Sequence, residues 1–252
     1  MKLSINTDNN FQGGRHWGYR GLSAIALLVT WWILSVMIGK HYIMPSPISV
    51  LKEMMHLLST SAFYLTVFST IFRTLICVGI SLAGGTVLGI ASGYYTALRG
   101  FLAPFIRIMQ TLPTIVVIVY VIIWLSSAIA PIFVTLLITM PIVYANVLEG
   151  YDAISLEYRE VFAVYALSPL KQLRYLVLPS VKPYLKAAVI AVTSLGLKVM
   201  IASEVLGQTQ GSIGKSIQMA KINLQTEIVF AWAMVTIVIA IGLEALLKKV
   251  LL

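Results

Sequence analysis

Between residues 21 and 39 the chain reads GLSAIALLVTWWILSVMIG, and no charged residue interrupts it. An α-helix needs about 20 apolar residues to cross the hydrocarbon of a bilayer. Inside that layer every backbone amide must be satisfied within its own segment, so such a run resolves into a helix. Comparable runs recur at 64–95, 105–125 (with Pro113 inside), 131–148 (with Pro141 inside), 186–206 and 227–247. Composition agrees: 59% of the residues are hydrophobic and 11% charged, against about 25% charged in soluble domains. Mean hydropathy is +0.93. The expected fold class is all-α, a polytopic membrane protein with six transmembrane helices, and a soluble domain is excluded. The first run is too long for a cleavable signal peptide, and the KHYIMPSP that follows it offers no small-residue cleavage site.

Six crossings put both termini on one side, and loop cations choose which. With the termini in the cytoplasm, Arg99, Arg107, Arg159, Lys171, Arg174, Lys182 and Lys186 fall inside, while Lys40, Lys52, Lys215 and Lys221 fall outside. The net charge of +9 therefore reads as topology and gives no reason to expect nucleic acid as a partner. Residues 1–20 read as a polar cytoplasmic tail, and 21–61 as the first span plus an external helix. That helix is entered through Pro47, with Ile48, Leu51, Met55 and Leu58 at helical spacing, as in a helix lying at a membrane interface. Residues 62–252 form the core. Gly85, Gly89 and Gly93 make a small-residue stripe that lets helices approach closely. Cys77, the single cysteine, sits in an apolar run as a small buried residue, and a disulfide framework within the chain is excluded.

Residues 151–183 interrupt this pattern. Asp152, Glu157, Arg159 and Glu160 keep the stretch out of lipid. Pro169 suits the first turn of a new helix, with Ser168 as its cap. Leu170, Leu173, Leu176 and Val177 form an apolar ridge beside Lys171 and Arg174, and Leu178-Pro179 is expected to end the helix and turn the chain back to the membrane. A loop that only joins two spans could be much shorter; this one reads as a rigid projection built to meet a partner.

The residues EVFAVYALS, followed by Leu178-Pro179, resemble the EAA loop of binding-protein-dependent ABC importer permeases, with Ala166 where that family usually has glycine. The stretch STIFRTLICVGIS around Arg73, the proline-containing IRIMQTLPTIVVIVYVIIW, and IASEVLGQTQGSIGKSIQMAKINLQTEIVFA are similar to the nitrate/sulfonate/taurine branch over roughly residues 62–252. Ser126-Ser127 depart from the glycine expected after Trp124, and the C-terminal basic tail is short. The resemblance implies one N-terminal helix plus a five-helix type I importer core with a cytoplasmic coupling helix. It implies a multi-pass protein of the bacterial plasma membrane, working with a second permease copy, two cytoplasmic ABC ATPase subunits and an external solute-binding protein. ATP and Mg would bind the ATPases, with no cofactor on this chain. Residues 160–179 would dock the ATPase, through Glu160, Ala163, Tyr165, Ala166, Leu167, Ser168, Pro169, Arg174, Leu178 and Pro179. The solute implied is small: an anion of the nitrate, sulfonate or taurine kind, or a vitamin precursor.

Other chemistry is sparse. TQGSIGKS (209–216) approaches the phosphate-binding pattern, but Thr209 replaces its first glycine and no strand precedes it. Gly211 and Gly214 read instead as bends in an external loop. His16, His41 and His56 are dispersed, which gives no metal site, and no nucleophile–base set appears. Arg73, Lys198 and Glu204 lie in or at the edges of spans, where ionisable groups face protein or water. Thr111, Pro113 and Thr114 would open the third span and expose its carbonyls. All six are candidates for a translocation pathway, with structural ion pairing the competing role. An intramembrane enzyme or a membrane scaffold is the alternative function, but the first lacks its constellation and the second has no use for buried charges.

Overall fold

The computed structural model describes residues 13–40, 42–165 and 168–251. Among them there are helices, turns and no strand. Helix α1 spans Gly13–Ile38 and so begins inside the segment read as a tail. Ser46 caps α2 (Pro47–Leu58) by accepting the Ser49 amide, and Pro47 occupies the first turn as expected. The apolar arc of α2 is wide. Val50, Met54 and Leu57 pack toward the bundle, while Ile48, Leu51 and Met55 stay exposed.

The centre is a three-helix packing of α3 (Ser61–Tyr94), α6 (Ala130–Asp152) and α9 (Leu178–Gly207). Apolar side chains gain nothing by leaving lipid, so these helices depend on close van der Waals contact. The glycine stripe supplies it. A Cβ on Gly85 would lie 2.7 Å from Val143, one on Gly89 2.7 Å from Val147, and one on Gly93 would run into the Tyr151 ring. Ser81 and Thr139 share a hydrogen bond of 2.7 Å inside the same seam, and Cys77 is fully buried.

Two prolines behave differently from each other. At Pro113 the expected third span breaks into α4 (Thr96–Thr111) and α5 (Thr114–Trp124), whose axes meet at 102°. Leu112 and Pro113 both take extended backbone, ψ 131° and 128°, because the residue before proline is pushed out of the helical region. At Pro179 the expected stop does not occur. The chain runs as one 39-residue helix over Pro169–Gly207, comprising α8 (Pro169–Gln172), a π-turn (Leu173–Val177) and α9. The Leu178 amide donates five residues back to the Leu173 carbonyl, so the register is already widened where Pro179 lacks its amide. The projection is therefore the end of a long helix rather than a separate helix between two turns.

Contacts between distant residues define the two ends of the bundle. Arg73–Glu204 and the hydrogen bond from the Thr209 hydroxyl to the Ser127 carbonyl, 2.6 Å, mark one end. Arg99–Asp152 and the Tyr94–Tyr151 ring pair mark the other. Helix α3 runs from the first end to the second, α4 with α5 returns, α6 descends and α9 climbs back. Helix α10 (Ile213–Ile222) caps the first end, and α11 (Thr226–Leu251) leaves from it. Trp31 of α1 stacks on Phe230, 5.7 Å between centroids. Among the described residues five helices are long and apolar enough to cross a membrane, and there are six if the bent pair α4–α5 counts as one span.

Candidate functional site

At the Asp152 end, helix α7 (Leu156–Val164) and the start of α8 stand clear of the bundle. Glu160 is exposed on α7, Ala163 lies within that helix, and Tyr165 is exposed in the turn after it. Ala166 and Leu167 lie outside the described residues. Ser168 occupies the N-cap position before Pro169, although its hydroxyl makes no capping hydrogen bond. Arg174 places its guanidinium 5.8 Å from the Tyr175 ring centroid. The projection is apolar where it faces outward: Leu156, Tyr158, Val164, Tyr165 and Leu170 are each at least 63% exposed. An apolar hollow of about 490 Å³ lies between Leu170, Leu173 and Leu178 on one side and Val87, Ile90 and Tyr94 of α3 on the other. Its root is rigid, because Ile154, Val177 and Val181 are buried in the α3–α6–α9 core.

At the opposite end the intramembrane charges sort themselves. Glu204 is wholly buried and receives three donors, two from α3 and one from α10. Thr70 Oγ1 donates at 3.0 Å, Arg73 Nη1 at 3.2 Å, and the Gly214 amide at 3.3 Å. The Ile213 amide donates to Thr70 Oγ1 at 3.1 Å, which turns that hydroxyl toward the carboxylate. The first turn of α10 holds an anion, and that anion is the chain's own Glu204. Of the two glycines Gly211 bends the loop as expected, with φ +61°; Gly214 sits in the first turn of α10, where a Cβ would run into Glu204 Cβ. Arg73, 23% exposed, also donates to the Gln210 carbonyl at 3.4 Å. Lys198 is exposed, and Glu204 is paired with Arg73 rather than with it.

Between the two ends lies the break in α4–α5. Thr111, Pro113 and Thr114 are all exposed there, and Gln110 Nε2 reaches the Pro141 carbonyl at 3.4 Å, fixing the break near the middle of α6. Pro113 has no amide, so the Met109 carbonyl has lost its helical donor. No residue of α4 is buried. One exposed face is apolar (Phe101, Phe105, Ile108, Leu112); the adjoining exposed face is small and polar (Gly100, Ala103, Arg107, Thr111). Arg107, read from sequence as a loop cation, is inside this helix. Its position on a helical wheel of α4 was the signal that would have found it. Among the described residues no cluster of His, Cys, Asp and Glu could hold a metal ion.

The sequence profile of the binding-protein-dependent transport system inner membrane component family matches residues 85–250. The chain belongs to that family. It is similar to the formylaminopyrimidine transport permease protein ThiX of Halalkalibacterium halodurans, 24% identical over 188 residues, covering 74% of this chain and 72% of the relative. It is also similar to the taurine transport system permease protein TauC of Escherichia coli K12, 22% identical over 239 residues, covering 91% and 86%. The fold matches a chain of an inward-facing MetNI methionine ABC transporter, TM-score 0.62 at 16% identity over 77% of this chain and 97% of that one. An amino acid ABC transporter matches at TM-score 0.60 and 14% identity, covering 75% of this chain and 91% of that chain. The protein is an importer permease subunit, and its all-α polytopic fold is that of the solved transporters.

Proposed function

We propose that two copies of this chain form the transport pathway, and that the projection at 160–179 docks a cytoplasmic ATPase on each. One observation carries this reading: a water-facing projection at one end of a membrane bundle exposes Leu156, Tyr158, Val164, Tyr165 and Leu170. Large exposed apolar patches on a soluble surface mark protein partners. Because the projection continues into α9 without a turn, a displacement imposed on it passes directly into the membrane.

ATP and Mg bind the ATPases, and this chain performs no hydrolysis. ATP binding draws the ATPases together and opens the pathway outward to an external binding protein; hydrolysis resets it. The wall of the pathway includes Arg107, Thr111, Pro113 and Thr114, because an intramembrane cation and a broken helix belong next to water or protein. The termini and the projection lie in the cytoplasm of a bacterial cell, in line with the loop cations. The solute is small, a sulfonate-like anion or a heterocyclic vitamin precursor, as the names of the two relatives support. Purifying the chain with its ATPase and measuring ATP hydrolysis in lipid tests the reading. Hydrolysis is expected to depend on the permease; an ATPase that neither binds the chain nor responds to it would reject the proposal. A ligand screen on the external binding protein identifies the solute.

A further inference from the structure

We propose that the Arg99–Asp152 ion pair is a strut that carries movement of the projection into α4 and so to the break at Thr111–Thr114; this rests on the coupling reading above. Asp152 is the last residue of α6, immediately before the projection begins, and Arg99 is in the first turn of α4. Both arms of the guanidinium engage: Nη1 donates to Oδ1 at 3.0 Å and Nη2 to Oδ2 at 2.8 Å. A two-point fork fixes direction as well as distance, which a single contact does not. The next residue inward ties α6 to the end of α3, beside the start of α4. The Tyr151 ring meets Tyr94 edge-on at 5.4 Å, over the space left by Gly93.

The far end of α4 is held loosely by comparison. No α4 residue is buried, its reach to α6 is a long 3.4 Å hydrogen bond from Gln110, and it ends at the 102° bend. A helix fixed in direction at one end, packed lightly along its length and broken at the other moves as a lever. The pair is also partly open to solvent, 45% and 43% exposed. Exposed pairs add little to stability. The geometry points to a role in transmission rather than in holding the fold.

The test uses the complex with its ATPase in lipid, in a Cys77→Ser background, with Thr114→Cys as reporter. The measured quantity is the rate at which a charged, water-soluble methanethiosulfonate modifies that thiol, with and without ATP, Mg and vanadate. The parent is expected to show a nucleotide-dependent change in rate, Arg99→Ala to lose it at unchanged melting temperature and ATPase binding, and Arg99→Asp with Asp152→Arg to regain it. Persistence of the change in Arg99→Ala overturns the strut, as does its absence in a parent that binds and hydrolyses ATP. If Arg99→Ala instead sheds the ATPase, the pair holds the docking surface and the proposal fails. A parent that never binds the ATPase overturns the coupling reading, and the strut with it.

Discussion

Glu204 has a fully buried carboxylate with donors from Thr70, Arg73 and Gly214. Removing one partner from a buried pair costs about 3–5 kcal/mol, because the other charge is left uncompensated. Glu204→Ala is therefore expected to lower the melting temperature sharply and to release the α9–α10 corner; a variant that melts with the parent would show that Arg73 finds other partners. Lys198→Met is expected to leave stability unchanged, since Lys198 is exposed and Arg73 already neutralises Glu204. A loss of stability in that variant would contradict this assignment. Lys198, six residues before Glu204 in sequence, is not its partner. Arg73 is 131 residues away in sequence, and nothing local to Glu204 announces it.

Among the helices, the small-residue seam makes the most direct forecast. In Gly89→Leu the new Cβ alone would sit 2.7 Å from Val147 and 3.1 Å from the Tyr144 carbonyl, which belongs to backbone and cannot rotate away. Overpacking of this kind costs about 1–3 kcal/mol, to be read as a fall in melting temperature. Gly79→Leu, with open space at its Cβ, is the matched control and is expected to be neutral. The spans and this seam were legible because they follow from runs and spacings of single residues. The two prolines were not legible in the same way. Whether a proline breaks a helix depends on how the preceding backbone is hydrogen-bonded: Leu112 turns extended before Pro113, whereas the π-turn before Pro179 absorbs the missing amide. The same limit hid Arg107 inside a helix and made the projection look like a separate helix between two turns.

For the molecule as a whole, the positions of its ends organise everything else. Glu204 and Asp152 lie at opposite ends, so six crossings require Ser168 and Gln210 to face opposite sides of the membrane. In a Cys77→Ser background, Ser168→Cys is expected to react with an impermeant maleimide only from the cytoplasm and Gln210→Cys only from outside; labelling of both from one side would break the topology. The central claim is that the exposed apolar projection is where an ATPase docks. Leu170 tests it most directly, because it is 74% exposed and its replacement leaves the buried root of the projection untouched. The decisive measurement is co-elution of the ATPase with the detergent-solubilised permease, comparing the parent with Leu170→Asp. The account predicts that Leu170→Asp folds and melts like the parent but elutes without the ATPase; co-elution at the parent's level would contradict it.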